Sequence, residues 1–490
     1  MFKEIKRLSL QSIVYGIGHF LVRGAQFIVI PIYTNYLNPA EYGAASVVIS
    51  WIGCFNVIYL LGMDVAFLRF FIVEKEPGQK RLIFSTCFLL LLIVGSLFSV
   101  IISHFSPGFS ELMFKSPNNA LFVRYSAWIL WLDALSTLPF LILRAEERAK
   151  MFVWLKLLGV IVNLIMNVIY IVFLKKGAEG IFLSFIWSSV ISLILVTPYI
   201  RKTFLLTFNV NMLKEILNFG LPYILPGLSI WALDLIDRQQ IEWYLGAEPT
   251  GIYSANYKFG MVMALFVAAF RFAWHPFFLS IREQSNAKQI YSRVLTYFVG
   301  LSGWFYLLMS FFVQDIAMIQ WNGKYLLGKE YWSGLPTIPL IMLGYVFYGV
   351  HVNCIVSIYL TKKSIYLPLV TVPAALLNII MNIVLIPRYG IMAAAFNTAV
   401  AYFVMAAAQY RLTQWIYPIP YELGRIVKLI VVIGILFLIG YWDWIEYQLL
   451  LKIVLVVAFP FLLKKFGFFK KEELGKFKEI WQKRKRFVEP

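Results

Sequence analysis

Val162-Asn163-Leu164-Ile165-Met166-Asn167 and Leu377-Asn378-Ile379-Ile380-Met381-Asn382 share one outline, and each sits midway along a long apolar segment. Each precedes a short loop carrying Gly-Ile, at Gly180-Ile181 and Gly390-Ile391. A second echo joins Tyr36-Leu37 and Gly43 to Tyr244-Leu245 and Gly251. Two similar apolar halves are the build of many carriers, whose substrate site lies near the membrane midplane between the halves.

Composition places the repeat in a membrane. Of 490 residues, 61% are hydrophobic and only 14% charged, against about 45–50% and about 25% in soluble domains. Apolar runs of about 20 residues recur throughout, each long enough to cross a hydrocarbon core of about 30 Å. The alternating ten-residue pattern of a membrane β-barrel is not seen. The first segment carries Arg23 at its centre and no small-residue cleavage site, so it reads as a span rather than a signal peptide. Cys54, Cys87 and Cys354 lie in separate apolar segments with no disulfide or metal-ligand spacing.

Fourteen spans are expected, at roughly 11–33, 40–62, 81–103, 120–143, 151–174, 181–200, 221–245, 251–273, 289–313, 335–360, 365–386, 391–416, 426–442 and 447–464. With the N-terminus inside, the cytoplasmic segments hold about 31 Lys/Arg and the opposite loops about 8. The net charge of +19 is therefore a topological signal, with attraction to anionic lipid as a secondary effect; nucleic acid is not an expected partner. Both termini are expected in the cytoplasm. Asn163 and Asn378 fall in spans five and eleven, an even separation, so the halves are parallel repeats. The expected architecture is an all-α polytopic protein with two six-helix lobes around a central cavity and two extra C-terminal helices. Its divisions are 1–215 (N-lobe and cytoplasmic connector), 216–416 (C-lobe) and 417–490 (helices thirteen and fourteen and a basic tail). That tail is read either as an interfacial amphipathic helix or as a solvated anchor.

Ionisable groups inside spans cost at least about 2.5–3.5 kcal/mol at a helix centre and face a cavity or a partner. Arg23 lies about 18 Å from the inner end of its helix, near the midplane. It either pairs with a carboxylate such as Asp133 or faces a cavity and binds an anion. Asp234 and Arg238 are four apart and can pair within their helix. Asp237, on another part of that face, either takes up a proton or sodium ion or pairs with Lys258 or Lys156. Lys258 and Arg271 share span eight, where they either anchor to the two interfaces or carry an anionic headgroup along. The i, i+4 pairs Asn163/Asn167 and Asn378/Asn382 each occupy one helix face and serve as packing hydrogen bonds or as the lining of a hydrated cavity. No phosphate loop, HExxH or nucleophile elbow is present, and no loop is long enough for a soluble catalytic domain. No catalytic or metal site is expected.

Pro31-Ile32-Tyr33-Thr34-Asn35-Tyr36-Leu37-Asn38-Pro39-Ala40-Glu41-Tyr42-Gly43 resembles the bacterial polysaccharide, or O-antigen, flippase family. So does the run from Leu377 through Ile386-Pro387-Arg388-Tyr389-Gly390-Ile391. That family is grouped with the multidrug and toxin extruders and the lipid II flippase. The resemblance implies alternating-access movement of undecaprenyl-diphosphate-linked oligosaccharide from the inner to the outer leaflet of the bacterial cytoplasmic membrane, for surface polysaccharide or lipopolysaccharide. It also implies substrate contacts from cations on helices one and eight, the ranks held here by Arg23, Lys258 and Arg271; Asp237, from its place on the face of span seven, is the fourth substrate-binding candidate. Asp133, Lys156, Asp234 and the four asparagines are the cavity-lining or coupling candidates. No cofactor is expected; a coupling ion, H+ or Na+, is the one candidate, and the partners are membrane lipids and other polysaccharide-assembly proteins. The rival readings are a multidrug-type cation antiporter, a lipid II flippase, and a membrane-bound polymerase or ligase. The last would carry a large outer loop.

Overall fold

The computed structural model describes residues 18, 24–25, 27–361, 363, 365–441, 448–465 and 468. Arg23, most of the first span and most of the basic tail lie outside them. The long helices, in chain order, are α1 (Pro39–Leu60), α2 (Pro77–His104), α3 (Ala120–Ala145), α4 (Ala149–Asn167), α5 (Glu179–Thr203) and α6 (Ile224–Leu245). There follow α7 (Ala247–Ser280), α8 (Ala287–Ala317), α9 (Thr337–Cys354), α10 (Tyr366–Ile416), α11 (Leu423–Tyr441) and α12 (Gln448–Lys465). Among the described residues, 11 helical runs are long and apolar enough to cross a membrane. The protein is a multi-pass helical membrane protein.

One of those runs is two crossings. The 51 residues of α10 would reach about 76 Å if straight, more than twice a hydrocarbon core. Gly390 breaks it with φ 65° and ψ −150°, a conformation that essentially only glycine adopts. The arms fold back on each other: Asn397 Nδ2 donates to Asn382 Oδ1 at 2.8 Å, although the two would stand about 22 Å apart on a straight helix. A Cβ at Gly390 would meet nothing within 4 Å, so the backbone alone sets the penalty. Gly390→Ala is expected to lower stability by about 1–3 kcal/mol, read as a drop in the melting temperature of the detergent-solubilised protein.

Helices α2 to α5 pack among themselves, as do α6, α7, α9 and α10, and α1 joins the groups by lying along both α6 and α7. The start of α1 is fixed locally. Asn38 accepts from the Glu41 N–H at 2.8 Å, the Glu41 carboxylate accepts from the Asn38 N–H at 3.2 Å, and Pro39 fills the first helical position. Between α8 and α9 a hairpin pairs β1 (Gln320–Trp321) with β2 (Lys324–Tyr325). Its turn residues Asn322 and Gly323 both have positive φ, 48° and 77°, as a type I′ turn requires. This end of the bundle is called the hairpin face. The opposite end, with the amphipathic helix Val210–Gly220 between α5 and α6, is the connector face.

Candidate functional site

The densest polar cluster is assembled from four helices of the second half. On α6, Asp234, Asp237, Arg238 and Gln240 fall within two turns and converge on one side. Asp237 is fully buried. Its Oδ2 accepts from the hydroxyls of Tyr253 on α7 and Thr398 on the second arm of α10, both at 2.7 Å. Its Oδ1 accepts from Asn382 Nδ2 on the first arm at 2.8 Å. The same Asn382 amide lies 2.8 Å from Gln240 Oε1 and 3.1 Å from Asn378 Oδ1. Placing Asn382 against both Thr398 and Asn397 depends on the reversal at Gly390, so a glycine eight residues downstream orders the site.

Asp234, one turn before, accepts from the hydroxyls of Tyr402 and Tyr345. The Arg238 guanidinium lies 4.2 Å from the centroid of the Tyr257 ring and 5.9 Å from that of Tyr253, and Nη1 donates to the Asp234 carbonyl at 2.6 Å. Two carboxylates, one guanidinium, several hydroxyls and a set of amides thus meet in a largely buried region. There each bond is strengthened and each unpaired group penalised. Asn378 Nδ2 and Asn397 Oδ1 are buried without a hydrogen-bond partner, leaving amide capacity unused at the edge of the cluster.

The first half holds a reduced copy. Asn167 Nδ2 donates to Asn163 Oδ1 at 3.0 Å, and Asn163 Nδ2 and Asn167 Oδ1 have no hydrogen-bond partner. The Tyr36/Tyr244 and Gly43/Gly251 register puts Val29 where the second half has Asp237.

The remaining predicted residues separate into two places. Asp133 accepts from Ser189 at 2.7 Å within the first half, and Lys156 lies close enough for its charge to act on Asp133. The Lys156 ammonium sits 4.0 Å from the centroid of the Phe140 ring. This is an internal arrangement of α3, α4 and α5. Lys258 and Arg271 lie about 20 Å apart along α7. Lys258 Nζ is 4.9 Å from the centroid of the Tyr33 ring and 5.3 Å from that of Tyr42, at the seam between the halves. Arg271 is exposed toward the connector face and donates to the Tyr348 hydroxyl at 3.1 Å. Arg23 lies outside the described residues.

Thr398, Asn397, Gln240 and the four tyrosines were not singled out by sequence. A count of every amide and hydroxyl in spans eleven and twelve, rather than of charges alone, would have found Asn397-Thr398. At mid-depth the seam is tied by Trp51 and Trp231, whose ring centroids are 5.3 Å apart. Trp51 Nε1 donates to Gln239 Oε1, and Trp231 Nε1 to the Ser50 carbonyl, each at 2.6 Å.

The fold has solved counterparts. The chain is similar to "Lipid II flippase MurJ, inward closed conformation", with TM-score 0.76 and 15% identity over 93% of this chain and 99% of that one. An inward-facing multidrug resistance MATE family transporter of the MOP superfamily matches at TM-score 0.67 and 14% identity, over 87% of this chain and 98% of that one. An outward-facing one matches at TM-score 0.57 and 16% identity, over 87% and 97%. At these identities the likeness is one of fold. No curated protein sequence matches the chain. The sequence profile described as "Polysaccharide biosynthesis protein" matches residues 10–282, more than half of the chain, and the protein therefore belongs to the polysaccharide biosynthesis protein family.

Proposed function

We propose that the protein flips an undecaprenyl-diphosphate-linked oligosaccharide from the inner to the outer leaflet of the bacterial cytoplasmic membrane, for surface polysaccharide. Family membership supplies the pathway. The observation that carries the substrate reading is the placement of Lys258 and Arg271. Aromatic rings hold one and a tyrosine hydroxyl the other. Such contacts can be exchanged for phosphate oxygens at little loss. A diphosphate and its sugars cannot enter hydrocarbon unaided. A cationic seam would shield them while the polyprenyl chain stays in lipid. The Lys/Arg-rich connector face is assigned to the cytoplasm.

The coupling ion, proton or sodium, is assigned to the Asp237 cluster. One carboxylate with the oxygens of Asn378, Asn382 and Thr398 is a hard-oxygen set suited to a small cation. Against the drug-antiporter reading, the described charges at the seam and toward the connector face, Lys258 and Arg271, are cationic.

Deleting the protein is expected to trap lipid-linked oligosaccharide on the inner leaflet, and the wild-type chain to restore export. Lys258→Ala, Arg271→Ala and Arg23→Ala should each restore about a tenth or less, since each removes a charge-assisted contact. Normal surface polysaccharide in the deletion strain, with altered drug sensitivity, would sink this reading.

A further inference from the structure

We propose that the stretch from Thr34 to Gly43 and the hairpin between α8 and α9 form a latch that holds the hairpin face shut and must release in every transport cycle. The proposal rests on the flippase reading only for which face is outside.

The stretch makes one consecutive row of bonds across the seam. The Gly328 N–H donates to Thr34 Oγ1 at 3.0 Å. Asn35 takes both sides of one backbone position: its Nδ2 donates to the Tyr325 carbonyl at 2.7 Å, and its Oδ1 accepts from the Tyr325 N–H at 3.2 Å. The Tyr331 hydroxyl donates to the Leu37 carbonyl at 2.9 Å. The row ends in bare backbone contact. A Cβ on Gly43 would lie 1.8 Å from the Ala247 carbonyl oxygen, and one on Gly251 would lie 1.8 Å from that of Pro39. Thr34, Asn35, Leu37, Pro39 and Gly43 of this one stretch thus all meet the second half.

A second fastening lies beside it. Gln239 Nε2 donates to the Met113 carbonyl at 2.7 Å, Trp243 Nε1 to that of Leu112 at 3.0 Å, and Lys115 Nζ to that of Trp243 at 3.0 Å. The short helix Ser106–Phe114, between α2 and α3, is thereby docked on the outer end of α6.

The chemistry suits a releasable contact. Each bond exchanges protein for water near the membrane surface and is worth only about fivefold in an equilibrium constant. The glycine contact interlocks no side chains, so nothing must repack when it parts. A two-state switch needs a closure that differential substrate affinity can outweigh, and a row of single bonds supplies one. The hairpin and the 3-10 helix Lys329–Gly334 after it are tied into one unit by the Leu326 N–H donating to the Ile319 carbonyl at 2.9 Å, the Tyr331 N–H to that of Gly328 at 3.0 Å and Trp332 Nε1 to that of Leu327 at 2.8 Å.

The test starts from a chain in which the three buried cysteines, Cys54, Cys87 and Cys354, are replaced by alanine. Lys258→Cys is the reporter, labelled from outside intact cells with a membrane-impermeant maleimide. Labelling should be slow with the latch intact. It should rise about tenfold or more with Thr34→Val and Asn35→Ala, which remove three bonds. It should stop when Asn35→Cys and Tyr325→Cys are joined by oxidation or dibromobimane. Equal labelling in all three states, or failure of the pair to join with either reagent, overturns the latch. The same pair without the reporter is then assayed for polysaccharide export, which should halt on oxidation and return with reductant. If labelling responds as stated while export does not, the latch stands and the oligosaccharide reading fails.

Discussion

Asp237→Ala is expected to destabilise the protein by about 3–5 kcal/mol, because it removes a negative charge beside the buried Arg238 and takes the acceptor from the Tyr253 hydroxyl and the best acceptor from Thr398 and Asn382. Tyr253, Thr398 and Asn382 all point at the Asp237 oxygens, and none has water to turn to. Asp237→Asn is expected to differ in kind. The hydroxyls of Tyr253 and Thr398 can rotate to accept from the new amide, and Thr398 already donates to the Ala394 carbonyl at 3.0 Å. That variant should stay folded, losing about 1–2 kcal/mol, yet export little, because it cannot carry the charge change that coupling requires. Melting curves in detergent and complementation of export separate the two effects. Wild-type export by Asp237→Asn would remove the coupling role. A rise in melting temperature with NaCl over KCl, seen in the wild type and lost in Asp237→Asn, would identify sodium as the ion.

Gly43→Val is expected to prevent closure of the hairpin face. Ordinary contact begins at 3.4 Å, but the first side-chain atom would stand 1.8 Å from the Ala247 carbonyl oxygen. That atom belongs to backbone, which cannot rotate away, so α1 and α7 must part by more than an ångström. Small residues let helices approach this closely in membranes, and no rotamer choice substitutes for them. Export should fall on the order of 100-fold, with the cysteine reporter at position 258 permanently open to external label. Gly251→Val should behave alike, since the contact is reciprocal. Gly434→Ala is the control: a Cβ there meets nothing within 4 Å, and export should be unchanged. Full export by Gly43→Val would show that this contact need not form.

Much of the fold was legible because hydrocarbon allows so little else: long apolar runs become helices, and basic residues gather at one face. The expected spans overlie α1 to α9, both arms of α10, and α11, most ends agreeing within about four residues and the ends of α4, α7 and α9 differing by more. The departures are informative. Sequence began the eighth span at Gly251, but α7 starts at Ala247, so Lys258 lies about 16 Å in rather than about 10 Å. Its ammonium lies over the Tyr33 and Tyr42 rings, about two turns along α7 from the Gly43–Gly251 contact. The hairpin and the helix Ser106–Phe114 read as loops because short polar segments carry no periodicity. Their value lies in partners nearly 300 and 130 positions away, with separations such as 294 for Tyr331–Leu37 and 126 for Gln239–Met113. In the site, Asp237 and the second asparagine pair were visible as polar groups in costly positions. Thr398 and the tyrosines were not, because a hydroxyl in an apolar helix is cheap and commonly bonds its own backbone. Arg238 was read as the partner of Asp234 alone, whereas its guanidinium also lies against Tyr257.

The crossing of Gly43 and Gly251 has a historical consequence. A contact lying on a two-fold axis is made twice by whatever residue makes it. An ancestral half-length chain pairing with its own copy would have built both sides from a single glycine. In a chain that links two such copies, each half is free to diverge while the contact stays fixed where backbone meets backbone. Val29 and Asp237 stand at corresponding positions of the Gly43/Gly251 register, an aliphatic residue in one half and an acid in the other. Symmetry survives where the two halves touch and has been given up where they need to differ.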